Sequence, residues 1–257
     1  MKKFKVFSIA IFLILVDSTT NLPQVMVGVQ GGLSIPKIGG GTNELSQDYT
    51  SRSAVNIGIF VEYPITENFS IQSEVNYDGQ GGQRTGLQPI TNSELPPNPN
   101  GPYYYADFRN VSILNYLEIP VLLKYTFGGE GMRFQGNLGP YIGFLLNASE
   151  ESSGTSLVYT DKNRSPLMIP LPPDYQTYGE APPQSFNATT NVYDSIKKIN
   201  VGAAGGIGII YPLNTNQRIS FDVRFTYGIT NIQKYSEDGK NHTGNLVISL
   251  GYALRIS

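Results

Sequence analysis

Apolar and polar residues alternate one by one along eight stretches of this chain, separated by connections rich in Gly, Pro, Asn and Ser. The last stretch shows it best. Leu246, Ile248, Leu250, Tyr252, Leu254 and Ile256 share one parity, while Asn245, Val247, Ser249, Gly251, Ala253 and Arg255 share the other. A period of two belongs to a strand whose two faces meet different surroundings. The same reading predicts strands over residues 25–33, 54–63, 69–77, 116–125, 132–146, 200–211, 218–227 and 245–256. Most have the roughly 9–11 residues that a tilted strand needs to cross a bilayer, about twice the usual globular length. The connections alternate strictly between short (64–68, 127–131, 212–217) and long (34–53, 78–115, 147–199, 228–244). This rhythm predicts an all-β fold: an eight-stranded antiparallel up-and-down transmembrane β-barrel with short periplasmic turns and long extracellular loops.

The polar face separates this barrel from a soluble one. It carries Gly28, Gly32, Gly58, Gly139, Gly143, Gly202, Ala204, Gly206, Gly208 and Gly251. Small residues suit an interior that eight strands leave just wide enough for side chains to fill. Among them stand Glu62, Glu74, Glu118 and Asp222, with Lys124, Arg133, Arg224 and Arg255 as opposite charges. They read as a paired structural network filling the lumen, because an unpaired buried charge is costly. In the predicted strands no charged residue falls on the apolar face, where Arg or Lys at the bilayer midplane would cost about 2–4 kcal/mol. Tyr63, Phe69, Tyr125, Phe134 and Tyr211 gather at the short-turn ends, and Tyr77, Phe144 and Tyr227 near the opposite ends. Two aromatic girdles are placed in this way.

The N-terminus adds an address. Lys2, Lys3 and Lys5 precede an apolar run over 6–16 and a polar exit over 17–21. That order predicts a signal peptide over residues 1–20, with a barrel domain over 21–257 and the bacterial outer membrane as destination. The apolar run is too short for a spanning helix, which needs roughly 20 residues. A net charge of −2 gives no electrostatic case for nucleic acid, and the absence of cysteine excludes disulfides and thiolate metal sites.

Chemistry is sparse. His242 is the single histidine, with Ser236, Asp238 and Thr243 nearby in what reads as the last long loop. The bland reading is an exposed loop histidine; the sharper alternative is the base of a lipid-modifying barrel enzyme. Gly39–Gly41 and Gly79–Gly82 lack the following helix and Lys-Ser/Thr pair of a phosphate loop. The reading is therefore a non-enzymatic barrel with no catalytic, cofactor or metal residues, the alternatives being a small pore or that enzyme. Outer-membrane lipid, lipopolysaccharide and, during biogenesis, the barrel assembly machinery are its expected partners. The loops are the place for a specific role. Tyr103, Tyr104, Tyr105, Tyr159, Tyr175 and Tyr178 lie among prolines that stiffen exposed chain, and suit a protein or glycan partner. Asp194-Ser195-Ile196 also fits a short O-glycosylation triad.

The stretch Leu117-Glu118-Ile119-Pro120-Val121-Leu122-Leu123-Lys124-Tyr125, then Gly139-Pro140-Tyr141, the run over 202–208 and the closing Gly251-Tyr252-x-Leu254-x-Ile256 occur in that order. On these residues the chain resembles the PorT-like outer-membrane β-barrel proteins of Bacteroidetes. The resemblance implies the same barrel and spans most of the chain outside the long loops. A link of the founding member to type IX secretion does not carry over, since Ile256-Ser257 replaces the usual terminal aromatic and the third long loop is large.

Overall fold

The computed structural model describes residues 24–91, 95–129, 131–172, 175–235 and 237–256. The signal peptide expected at 1–20 lies outside the described residues. The barrel begins with β1 (Met26–Gly39), β2 (Ala54–Pro64), β3 (Phe69–Ile90), β4 (Tyr104–Gly128) and β5 (Arg133–Ser153). A long excursion follows, holding β6 (Thr155–Ser156), β7 (Met168–Pro170), β8 (Tyr178–Glu180), β9 (Gln184–Ser185), β10 (Ala188–Asn191) and one 3-10 turn at Tyr193–Ser195. The ring is completed by β11 (Ile199–Asn214), β12 (Gln217–Gly228) and β13 (His242–Arg255).

Every neighbouring pair in the ring is antiparallel, and β13 closes on β1 from Met26–Arg255 to Gly39–His242. Followed at right angles to the strands, the ladders lead from Val27 to Val61, Ser73 and Val121. The flanking pairs Pro120–Tyr141 and Leu123–Leu138 set Val121 opposite Pro140. From there the path runs through Ala203, Tyr227 and Gly244 to Lys37, so it returns to β1 ten residues beyond Val27. Such a stagger tilts the strands by about 35–45° and leaves an interior filled by side chains. Pairing of β3 with β4 is interrupted between Ser73–Val121 and Asn76–Glu118, beside Pro120, which has no N–H to donate.

The apolar parity faces outward all round. Ile59 is 60 % exposed and Leu250 67 %, while their chain neighbours Phe60 and Gly251 are buried. At the short-turn end Phe69 and Tyr125 (ring centroids 4.9 Å apart), then Phe127 and Phe134 (5.7 Å), form a continuous aromatic arc.

The expected long loop over 78–115 is largely strand. Residues 78–90 continue β3 and 104–115 continue β4, and β5 runs on to Ser153, so a three-stranded sheet rises beyond the barrel wall. The β1 strand likewise extends to Gly39, and β13 starts at His242. A register shift at Asn115/Tyr116 hid the extension of β5. Asn115 pairs with Asn147 but Tyr116 with Leu145, which breaks the alternation at Leu146 while the strand continues. The glycines at 79–82 are buried because the connection before β2 lies across them. Arg52 donates to the Gln80 carbonyl at 2.8 Å, and a Cβ on Gly82 would meet the Thr50 carbonyl oxygen at 3.2 Å. At Gly81 (φ +121°) a Cβ would sit 2.0 Å from the Ser112 carbonyl oxygen, so only glycine fits.

Candidate functional site

The lumen is packed with polar side chains in three levels. Nearest the short turns, Glu62 of β2 accepts from Lys124 Nζ at 2.7 Å, from Ser70 Oγ at 2.9 Å and from Arg218. Above it, Glu74 of β3 and Arg224 of β12 meet across the barrel in a two-bond fork at 2.7 and 2.9 Å. Gln30, Gln72 and Asn76 also donate to Glu74. Asp222 accepts from Gln135. The third level holds Asp78, which accepts from Asn56 and Gln80, each at 2.8 Å, and from Asn245 and Ser34. Glu118 accepts from Gln80 at 3.2 Å.

Six of the eight residues expected in the lumen network are buried there: Glu62, Glu74, Glu118, Lys124, Asp222 and Arg224. Glu118 and Lys124, which share a face of β4, do not pair with each other. Arg133 and Arg255 are half-buried at the short-turn mouth and form no ion pair among the described residues, which corrects their place in a paired network. Arg218 and Asp78 were missed. Arg218 is the second residue of β12, at the barrel mouth, and Asp78 lies one residue beyond the predicted strand end at Tyr77, directly before the glycines.

Above this network an apolar plug closes the barrel. Ile38, Leu114, Tyr116, Leu145, Ile196 and Ile232 bury one another, drawing in the third and fourth long connections (154–198 and 229–241). Backbone bonds clasp those two connections: Lys197 N to Ile232 O at 2.8 Å and Lys234 N to Ser195 O at 3.0 Å. Higher still, a second cluster of Tyr104, Val158, Leu167 and Ala181, with Phe186 packed against it, gives the third connection its own small core.

The tyrosines expected to form a binding surface divide. Tyr104 and Tyr105 are buried in this crown, with hydroxyls donating to the Pro96 carbonyl (3.0 Å) and to Glu44 (2.8 Å). Tyr103 and Tyr159 are half-buried, and Tyr159 bridges Tyr105 and Pro166. Tyr175 and Tyr178 are exposed, at 63 % and 65 %. Burial wins for Tyr104 and Tyr105 because they lie in β4, where Val158, Leu167 and Ala181 of the third connection pack on Tyr104 and Tyr159 pairs with the Tyr105 backbone.

Glu44 ties the first connection to β4 and to the third connection by accepting from Tyr105 and pairing with Lys162 at 2.9 Å. Its carboxyl is held below the ordinary range, first by the Lys162 hydrogen bond and then by that of Tyr105. The Tyr105 hydroxyl is pushed up to about 12 by burial and by Glu44, so it stays a donor. A depressed carboxyl contributes stability above its ordinary range and loses it as pH falls through the depressed value. Amide exchange over 157–170, corrected for intrinsic rate, is therefore expected to accelerate below about pH 4. In Glu44→Gln that acid step should vanish; equal pH profiles would remove Glu44 from the role.

His242 is the first residue of β13, not a loop residue. Its Nδ1 lies 3.1 Å from the Gly228 carbonyl, and its ring stacks on Tyr227 with centroids 6.0 Å apart.

Between plug and crown lies a cavity of about 590 Å³. Its floor includes Tyr49, Leu114 and Ile232, its wall Arg84 and Asn110 of the raised sheet, and its roof Phe108 and Phe186. The solvent-exposed Ser185, Asn187 and Thr190 form its rim.

The model of one family, described as outer membrane protein beta-barrel domain, matches residues 21–234. The chain belongs to this family. Its short-turn end is accordingly periplasmic, and crown and cavity are extracellular. No curated protein matches. Among solved structures, this outer-membrane barrel is similar in fold to the Neisserial surface protein A, at 13% identity and TM-score 0.38, over 90% of this chain and 97% of that one. It is also similar to Ail, the attachment invasion locus protein of Yersinia pestis (11%, 0.39, over 90% and 99%). The Escherichia coli outer membrane protein W gives 13% and 0.38, over 91% and 98%.

Proposed function

We propose that this outer-membrane barrel works as a closed anchor that displays a binding surface outside the cell, and neither as a pore nor as an enzyme. One observation carries the reading. The lumen is crossed by the Glu74–Arg224 fork and capped by the apolar plug, whereas β3, β4 and β5 rise past the bilayer to hold a cored crown. Ordered structure outside the membrane adds nothing to anchoring, and a site on rigid strands holds a partner more accurately than one on free loops. The exposed Tyr175 and Tyr178 at the crown suit a protein or glycan partner. The PorT-like stretch around Pro120 supports a grouping with PorT-like barrels as a structural class, without the founding member's secretion role.

The test pairs two measurements on full-length protein. In planar bilayers the purified barrel is expected to give no steady conductance, with or without Glu118→Ala, a change that should lower barrel stability. On cells, replacing residues 157–183 by a short linker should abolish binding to an arrayed set of glycans and surface proteins while heat-modifiable migration persists. A steady, charge-selective current lost in Glu118→Ala would establish the pore instead. A lipid A profile altered by His242→Ala would establish the enzyme.

A further inference from the structure

We propose that the extracellular cavity is a binding site for a small organic monocarboxylate with an apolar body; this rests on the surface-binding reading above. Arg84 and Asn110 are register partners on β3 and β4, side by side in the cavity wall. They are only 9 % and 7 % exposed. The Arg84 guanidinium lies 4.6 Å above the Tyr49 ring, and its hydrogen bonding amounts to one long contact, Nη1 to the Glu44 carbonyl at 3.5 Å. Its Nε has no partner, and no carboxylate among the described residues lies within ion-pair distance. The Asn110 side chain makes no hydrogen bond among the described residues, and its Oδ1 is fully buried. Below, every lumen cation that is as deeply buried has a carboxylate partner. A buried guanidinium beside an idle carboxamide is costly unless something enters to satisfy both.

The chemistry of the walls selects the ligand. A guanidinium fork matches a carboxylate with two parallel bonds, and a carboxamide beside it can donate to the same group or pair with a hydroxyl next to it. Glu150, which accepts from Ser112 at 3.2 Å, and Asp238 line the same cavity. Two acids against one arginine repel a phosphate dianion or a polyanion but tolerate a single negative charge. The remaining surface is apolar: Leu114 and Ile232 below, and the Phe108–Phe186 stack (4.8 Å, 11°) above. The volume suits a small molecule that buries most of its own surface.

The experiment uses the full-length protein in lipid nanodiscs, titrated calorimetrically with 4-phenylbutyrate, 4-phenylbutanol and phenyl phosphate. Saturable binding of the carboxylate is expected, at least roughly tenfold tighter than of the alcohol or the phosphate. Arg84→Ala should lose that preference while its heat-modifiable migration stays wild-type, and Arg84→Lys, which keeps the charge but not the fork, should recover only part of it. Equal affinity for acid and alcohol, or an intact preference in Arg84→Ala, would overturn the proposal. So would no binding of the carboxylate to folded protein. If the acid fails to bind while replacement of 157–183 still abolishes surface binding, the ligand inference falls and the binding reading stands. If that replacement leaves surface binding intact while 4-phenylbutyrate binds through Arg84, the crown surface is dismissed and the cavity is retained.

Discussion

Replacing Glu74 with leucine is expected to cost the barrel about 3–5 kcal/mol. The substitution leaves the Arg224 guanidinium buried in the lumen with both of its bonds at 2.7 and 2.9 Å removed. It also strands the side-chain donors of Gln72 and Asn76, and leaves Gln30 with Asn76 as its one remaining acceptor among the described residues. Removing one partner is worse than removing both, because an uncompensated buried charge is the larger penalty. The double variant Glu74→Leu with Arg224→Leu should therefore recover much of the loss. Urea-driven unfolding and refolding in vesicles, followed by the heat-modifiable gel shift, gives both values. A single variant that loses less than about 1 kcal/mol, or a double variant worse than the single, would mean the fork does not hold the barrel across its width.

The second large effect lies on the opposite surface. Leu250 sits near the middle of β13 with its side chain 67 % exposed on the barrel's outer face. Leu250→Arg should destabilise the inserted barrel by about 2–4 kcal/mol, the cost of a cation at the bilayer midplane. The same urea titration in vesicles reads the loss. Phospholipids with shorter acyl chains should shrink it, because the guanidinium then reaches the headgroups. A loss independent of acyl-chain length would indicate that Leu250 faces something other than lipid.

The barrel itself was legible because a period of two leaves its mark in every strand that separates lipid from a polar interior. Ile59 and Leu250 outside, Glu62 and Asp222 inside, follow directly from parity. The crown left no such mark. Beyond the bilayer both faces of a strand meet protein or water, so the alternation fades, and glycines at 79–82 resemble loop although they carry a ladder. The bulge at Leu146, opposite Asn115 and Tyr116, reverses parity at the point where β5 leaves the membrane, and a pattern read by parity stops there.

Pairing across space was equally hidden. Glu118 and Lys124 share a face of one strand, but Lys124 meets Glu62 two strands away, and Glu118 meets a glutamine. Which charges touch depends on the stagger of the ring, and no single strand contains that quantity. The sequence by itself determined the strand number, the two faces, the orientation in the membrane and the absence of cysteine chemistry. Each is a local consequence of residue type and spacing. The tertiary structure alone decided that Tyr104 and Tyr105 are core and not surface, and that Arg133 and Arg255 stand apart at the mouth. It also set Arg84 and Asn110 together, unsatisfied, in a cavity. Those facts arise from contacts between segments far apart in the chain, where closure, burial and the shortage of partners are settled together.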